Sequence, residues 1–292
     1  MKPAPFKYLA PRTVKEALAH VAEHGYDAKV LAGGQSLIPV MNFRLAQPSV
    51  LVDLNRVPEL FFIRPDDNGG IRIGAMTRQS QVEKDPLVAE RVPLLHDAMP
   101  RIAYPQVRSR GTYGGSIAHA DPSAELPAVS VAMNGRFRLR NQSGERWVSA
   151  SDFYIALFTT ALELDELLVE IALPAMPARS GWSFMEISRR HHDFAMAGVA
   201  VVVSLDPAGL CQEARTVFFS VGDGPMYAKG AEAVLKGELP TPDLIQQAAE
   251  VASQEDVEPS GDIHATAAYR RHLVKVLAQR SLEEAFERAK SR

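Results

Sequence analysis

Two glycine pairs, each followed closely by a serine, constrain the fold of this chain more than any other sequence feature. One is Gly33-Gly34 in "LAGGQSL", and the other is Gly114-Gly115 in "TYGGSIA". Glycine adopts backbone conformations that other residues avoid, and it lets a second backbone or a ligand approach the main chain. The fold must therefore contain two sharp, crowded loops. Main-chain amides in such loops suit an anion such as a pyrophosphate.

The residues of these loops leave two roles open. A single Gly-Gly pair is most often an ordinary tight turn. The two loops nevertheless share a pattern, because hydroxyl groups flank both pairs at Ser36, Thr112 and Ser116. Neither loop matches the G-x-G-x-x-G pattern of Rossmann folds or the G-x-x-x-x-G-K-[ST] pattern of P-loops. Both a shared binding site and a structural role thus remain open at this point.

Length and charge exclude several classes of protein. The 292 residues are enough for about two domains. A formal net charge of -3 provides no basic field for nucleic acid. The single cysteine, Cys211, cannot form an internal disulfide or hold an iron–sulfur cluster. The N-terminus lacks a signal-peptide core, and the longest apolar run, Ala195–Leu205, is about half of a bilayer span. We expect a cytoplasmic protein without a membrane span.

Hydrophobic spacing and turn residues predict an α+β fold. Thr13 and Gly25 are typical start and stop signals for a first helix. Strands are predicted at Ala28–Ala32, Ser49–Leu54, Leu60–Ile63, Ile71–Ala75, Arg136–Arg140, Trp182–Ser188, Ala195–Leu205 and Arg215–Gly222. Helical segments are predicted within Thr77–Met99, Ala128–Met133 and Ala265–Lys290.

A composition change near Pro174–Gly181 predicts a linker. Three strands and then helices follow it, which favours a rear α+β domain with an antiparallel sheet. The front portion is predicted to contain two lobes.

Several charged residues have competing interpretations. His191 and His192 could bind a metal, although no third ligand is evident and a solvated turn is the simpler interpretation. His119, together with Asp121 and Glu125, could serve general acid–base chemistry, but a binding or structural role is simpler. Arg108 and Arg110 are predicted to contact a phosphate or a partner, or to be solvated loop charges.

Three blocks of sequence carry a family resemblance. They are "VLAGGQSLIPVMNFRLAQPSVLVDLNRVPEL", "IAYPQVRSRGTYGGSIAHADPSAELPAV" and "EISRRHHDFAMAGVAVVV". Together they resemble the FAD-binding medium subunit of molybdenum hydroxylases, a group that includes carbon monoxide dehydrogenase. They are also similar to the flavin domain of xanthine dehydrogenase. The resemblance implies a two-lobed FAD domain of the vanillyl-alcohol-oxidase type. A smaller domain with a three-stranded antiparallel sheet and helices would follow it.

The resemblance also implies domain bounds and a set of cofactor contacts. The FAD domain would cover residues 1–176, with lobes at 1–56 and 57–176, and the rear domain would cover 177–292. The implied contacts to noncovalent FAD are Ala32, Gly33, Gly34, Gln35, Ser36, Leu37, Ile102, Thr112, Gly114, Gly115, Ser116, Ala120, Asp121, Glu125, Leu168, Glu186 and Phe194. The first six residues and the block at 112–116 would wrap the two sides of the pyrophosphate. Phe194 would cover the isoalloxazine ring.

Two positions depart from the family pattern. Ser116 stands where many relatives have asparagine, which shortens or removes one hydrogen bond. Glu186 stands where the xanthine dehydrogenase and carbon monoxide dehydrogenase types have lysine. A nearby positive charge would favour an anionic reduced flavin ring and a nearby acid would disfavour it, so the redox potential and the electron acceptor stay open at this point.

The resemblance implies a division of labour among subunits. Hydroxylation would occur at a molybdenum cofactor in a large subunit, and a small subunit would carry two 2Fe-2S clusters. FAD in this chain would pass the electrons to an external acceptor, within a dimer of heterotrimers. No catalytic side chain and no metal ligand is expected here. The alternative is a free-standing FAD-dependent oxidase or dehydrogenase on the same fold.

Overall fold

A parallel sheet forms the N-terminal part of the molecule. The computed structural model describes residues 2–292. Its first elements are β1 (Lys7–Leu9), α1 (Val14–His24), β2 (Ala28–Leu31), α2 (Leu37–Asn42) and β3 (Val50–Asp53). The strands lie in the order β1-β3-β2, and both pairs are parallel. The carboxyl ends of β2 and β3 therefore meet at one edge of the sheet. The first glycine loop begins at this edge.

The predicted first helix is confirmed at both ends. The Oγ1 of Thr13 accepts a hydrogen bond from the amide of Glu16 at 3.1 Å. Gly25 has a φ of 47° and donates its amide to the carbonyl of Val21. These contacts satisfy backbone groups that a helix end leaves without partners.

An antiparallel sheet forms the middle of the chain. Its strands lie in the order β4-β5-β10-β6-β7. The elements of this part are β4 (Ile63–Pro65), β5 (Ile71–Gly74), α3 (Gln79–Lys84), α4 (Pro86–Arg91), α5 (Pro93–Ala98), α6 (Pro105–Arg108), α7 (Tyr113–His119), α8 (Glu125–Ala132), β6 (Arg136–Arg140), β7 (Glu145–Ser149), α9 (Ala150–Phe153), β8 (Tyr154–Ala156), β9 (Thr159–Thr160) and β10 (Leu167–Leu173). Strands β8 and β9 pair only with each other.

The strand predicted at Leu60–Ile63 is wrong over most of its length. Pro58 begins a 3₁₀ turn that ends at Leu60, and β4 begins only at Ile63. The fixed φ of proline suits the first position of a helical turn. The apolar side chains that suggested a strand instead follow this turn.

The C-terminal sheet has one strand more than expected. Its order is β11-β12-β13-β14, and every pair is antiparallel. The elements are β11 (Ser180–Ser188), β12 (Ala195–Leu205), β13 (Cys211–Phe219), β14 (Met226–Tyr227), α10 (Lys229–Leu235), α11 (Pro242–Gln254) and α12 (Ala267–Lys290). The extra strand, β14, has only two residues, which is too short for a periodic signal. We propose the domain boundary at 176–177, between β10 and β11.

Strand β12 explains how the C-terminal sheet joins the rest of the molecule. All eleven of its residues are buried. Ala200 and Val202 pack into the core of the middle sheet, whereas Val199 and Val201 pack under helices α11 and α12. Successive side chains of a strand point to opposite faces, so a strand covered on both faces is apolar throughout. The long apolar run is thus a buried strand, as predicted.

Helix α12 packs so closely on β11 that a side chain at Gly181 should destabilise the fold. A Cβ at Gly181 would lie 1.8 Å from the carbonyl oxygen of Ala285, which is helix backbone and cannot rotate away. We expect Gly181→Ala to lower the free energy of unfolding by about 2 kcal/mol through overpacking. Urea denaturation measures this change. Gly144→Ala is the control, because nothing lies within 4 Å of that position. Equal stability of the two variants would contradict the packing described.

Candidate functional site

The two glycine loops lie directly against each other. A Cβ at Gly33 would lie 2.4 Å from the carbonyl oxygen of Arg110 and 2.8 Å from the Cα of Gly111. A Cβ at Gly115 would lie 3.2 Å from the Cβ of Ala32. The structure therefore brings together the two blocks that the sequence places about eighty residues apart, as a site shared by both loops requires. Only glycine permits this approach at position 33.

The first loop offers main-chain donors. Within residues 2–292, the amides of Gly33, Gly34, Gln35 and Ser36 donate to no protein acceptor. Gly34 has a φ of 76°, a left-handed conformation that favours glycine. Successive free amides in such a turn form a concavity suited to phosphate oxygens. This part of the chain fits a pyrophosphate group.

The second loop differs from the expectation. The amide of Gly114 donates to the carbonyl of Ala75 at 2.9 Å, and that of Gly115 donates to Thr112 Oγ1 at 3.1 Å. Both amides are thus used inside the protein, where α7 begins. A Cβ at Gly114 would lie 2.5 Å from the Cβ of Ala75, so close packing requires this glycine. The hydroxyls of Thr112 and Ser116 remain the donors that this loop can offer.

Two residues that the sequence reasoning did not single out connect the loops. Asn55 Nδ2 donates to the carbonyl of Ala32 at 2.9 Å. Arg78 Nη1 donates to the carbonyl of Arg110, and Arg78 Nη2 donates to Asn55 Oδ1, both at 2.5 Å. No short sequence pattern signals this contact, because its partners lie on different loops. The pair lies between the two loops and contacts both of their backbones.

The role expected for Arg108 is corrected by the structure. Its guanidinium is buried and donates to both carboxylate oxygens of Glu83, each at 2.9 Å. It also donates to the carbonyls of Ile102 and Ala103 at 2.9 and 2.8 Å. A buried, fully paired arginine is neither a solvated charge nor free to meet a phosphate. Arg108 instead fixes the backbone at Ile102, a predicted flavin contact.

Two apolar residues of the predicted site lie in the middle core, and two others form the turn that follows α7. Ile102 and Leu168 are 7% and 6% exposed and belong to the same apolar cluster. Ala120 ends α7 in a left-handed conformation, with a φ of 52°. Asp121 Oδ1 then accepts the amide of Ser123 at 2.9 Å, which stabilises the turn into α8. This turn leads directly to Glu125.

Two predicted site carboxyls lie near each other. Glu125 begins α8, and Glu186 lies on β11. Burial is the main cause that raises the pKa of Glu125 to about 8, and the nearby charges of Glu186 and Asp121 contribute to that rise. Burial raises the pKa of Glu186 to about 7, although Arg101 opposes that rise. The buried Oε2 of Glu186 has no hydrogen-bond partner in the chain. Near pH 7, Glu125 is therefore mostly protonated, whereas Glu186 lies close to the midpoint of its titration.

The loop between β11 and β12 keeps its polar residues at the surface. Phe194 is 73% exposed, so the residues of this chain leave its ring largely uncovered. The rings of His192 and Tyr104 lie 4.9 Å apart. Within the described residues, no group of three potential ligands is placed to hold a metal ion around His191 or elsewhere. His119 packs against Phe158, with ring centroids 5.3 Å apart.

An open cavity lies beside Glu186. Its volume is about 840 Å³, and its walls include Arg101, Glu186, Arg189 and Arg288. Neither glycine loop lines it. Among the predicted site residues, Glu186 is the one that lines this cavity.

Across residues 2–292, no helix is both long enough and apolar enough to cross a membrane.

Comparison with protein families identifies the chain. Residues 4–176 match the FAD binding domain in molybdopterin dehydrogenase, and residues 182–285 match the CO dehydrogenase flavoprotein C-terminal domain. The chain belongs to the family of FAD-binding medium subunits of molybdenum hydroxylases. It is an oxidoreductase subunit, and FAD is its cofactor. The resemblance carried by the three sequence blocks is confirmed.

Individual relatives cover the whole chain. The 6-hydroxypseudooxynicotine dehydrogenase complex subunit alpha of Paenarthrobacter nicotinovorans is 39% identical, over 99% of this chain and 97% of its own. The carbon monoxide dehydrogenase medium chain of Hydrogenophaga pseudoflava is 38% identical, over 99% of both chains. A solved structure of carbon monoxide dehydrogenase from that organism, which lacks the Mo-pyranopterin moiety, matches with a TM-score of 0.95 and 41% identity over 99% of both chains.

The raised pKa values of the two carboxyls should make the stability of the FAD-free chain depend on pH. The pKa is raised from 4.5 to about 7 in Glu186 and to about 8 in Glu125 in the folded chain. The protonated groups therefore contribute fully to stability below pH 4.5, and this contribution is lost as the pH rises through those two values. We expect Glu186→Gln to raise Tm by about 2–4 °C near pH 8.5. Near pH 5 the difference should vanish, because wild-type Glu186 is then protonated.

Thermal unfolding followed by circular dichroism measures this pH dependence. Glu90→Gln is the matched control, because Glu90 is an exposed helical glutamate. Identical pH dependence of the two variants would contradict a raised pKa of the half-buried Glu186.

Proposed function

We propose that this chain is the electron-transfer subunit of a molybdenum-containing hydroxylase. It would take electrons from iron–sulfur clusters of a partner subunit and pass them to an external acceptor. The observation that carries the proposal is the contact of two glycine loops, one with free amides, in a chain whose relatives are dehydrogenase subunits. Bound FAD supplies a ring that accepts electrons singly or in pairs.

The residues of the chain would bind and orient the cofactor. The amides of residues 33–36 and the hydroxyls of Thr112 and Ser116 would hold the two phosphates. Ile102 and Leu168 would provide apolar contacts beside the ring system. At neutral pH, Glu125 would place a mostly protonated carboxyl near the cofactor, and Glu186 would place one that is about half protonated. Phe194, being exposed, is free to cover the ring as predicted.

The partners follow from the kind of complex to which the relatives belong. The Paenarthrobacter protein is a complex subunit, and the Hydrogenophaga protein is a medium chain. We propose a small subunit with 2Fe-2S clusters, a large subunit with the molybdenum cofactor, and a dimer of such heterotrimers. The sequence supports this division, because one cysteine cannot ligate a cluster.

An absorbance spectrum tests the proposal. The purified protein should show flavin bands that pass into the supernatant after acid precipitation, with FAD identified there. Co-purification from its source should yield one smaller and one larger chain on a gel. Flavin retained in the pellet would indicate covalent attachment and would favour a free-standing oxidase. A chain that neither contains nor binds FAD would refute the proposal.

A further inference from the structure

We propose that Arg78 and Asn55 form a bridge that sets the gap between the two glycine loops, and that this bridge is a positioning device for the FAD pyrophosphate. The inference rests on the proposed function, because it needs FAD at the loops. Neither side chain belongs to the predicted site. Both act on main-chain carbonyls, and through them on the groups that would contact the cofactor.

The bridge is a continuous chain of hydrogen bonds between the two loops. The side-chain amide of Asn55 donates to the carbonyl of Ala32 and accepts from the guanidinium of Arg78. That guanidinium also donates to the carbonyl of Arg110. One donor of the guanidinium meets each neighbour. A planar fork with fixed donors holds two acceptors at a defined separation, which the single ammonium of lysine cannot do. The spacing of the loops thus depends on an arginine at position 78.

The end of the bridge at Asn55 is anchored in the parallel sheet. The backbone amide of Asn55 donates to Asp53 Oδ1 at 2.8 Å, and its Nδ2 also donates to that oxygen. The hydroxyl of Tyr8 on β1 donates to the other oxygen of Asp53. Asn55 therefore has one orientation relative to strands β1 and β3. The Arg78 guanidinium also lies 5.7 Å from the ring centroid of Phe61.

The bond from Asn55 orients the first free amide of the site. The carbonyl of Ala32 and the amide of Gly33 belong to one peptide group. That group is trans, since the chain contains no cis peptide within residues 2–292. In a trans peptide the N–H points away from the C=O. Because Asn55 holds this carbonyl on the bridge side, the Gly33 amide points to the opposite side, where an anion can accept it.

The other end of the bridge lies at the closest contact between the loops. The carbonyl of Arg110 that Arg78 holds is also the atom nearest to the position of a Cβ at Gly33. The arginine and the glycine thus fix the same peptide group from two sides. Burial and the nearby charge of Arg110 both lower the pKa of Arg78. A phosphate at the gap would offset the repulsion between these two cations.

The test compares FAD affinity of the full chain and its variants, after removal of bound flavin. We expect Arg78→Lys and Asn55→Ala each to raise the Kd for FAD about tenfold, since each breaks the bridge. The double variant should bind FAD about as weakly as the weaker single variant, because both residues act through one contact. Arg91→Lys is the matched control, since Arg91 also donates to two main-chain carbonyls but lies on α4, away from the loops.

Thermal unfolding of the FAD-free variants separates positioning from general destabilisation. A positioning role predicts weaker FAD binding while Arg78→Lys keeps a Tm close to that of Arg91→Lys. Wild-type FAD affinity in Arg78→Lys would overturn the bridge proposal but not the proposed function. The same holds if the Kd of the double variant rises by the product of the two single increases. A wild-type chain that binds no FAD would overturn the proposed function instead, so the two failures are distinguishable.

Discussion

The contact of Gly33 with the carbonyl of Arg110 is the constraint on which the rest of the site depends. It joins the edge of a parallel sheet to the start of α7, and it tolerates no side chain at position 33. Because the loops meet there, the loop with free amides at residues 33–36 packs against the loop that carries Thr112 and Ser116. Because β2 and β3 are parallel, Asn55, which follows β3, lies next to the first loop, which follows β2, and hydrogen-bonds to it.

The same backbone groups cannot serve both the fold and a ligand, and the two loops divide these tasks. In the second loop the Gly114 and Gly115 amides serve internal bonds, so its glycines permit close packing against Ala75 and Ala32. In the first loop the amides stay free. A site with donors on one side and rigid packing on the other is preorganised, which reduces the cost of ordering groups upon binding.

Local sequence signals predict much of the fold. Features that depend on contacts between residues distant in sequence could not be predicted in this way. Thr13 and Gly25 mark α1, and the apolar run of β12 reports burial on both faces. Strand β10 was not predicted, because Glu170 interrupts its apolar run. That carboxylate is buried against Arg72 and Arg138, on neighbouring strands. The family resemblance indicated the glycine loops, but the Arg78–Asn55 bridge depends on partners distant in sequence, which no local pattern reveals.

We propose that the close approach of the two loops creates the FAD site. The most direct measurement is the FAD content per chain of purified Gly33→Ala, determined by absorbance, together with its circular dichroism spectrum. We expect a folded chain that has lost most of its FAD, because a Cβ at this position displaces the Arg110 carbonyl. A folded Gly33→Ala chain with wild-type FAD content would show that the approach of the two loops does not create the site.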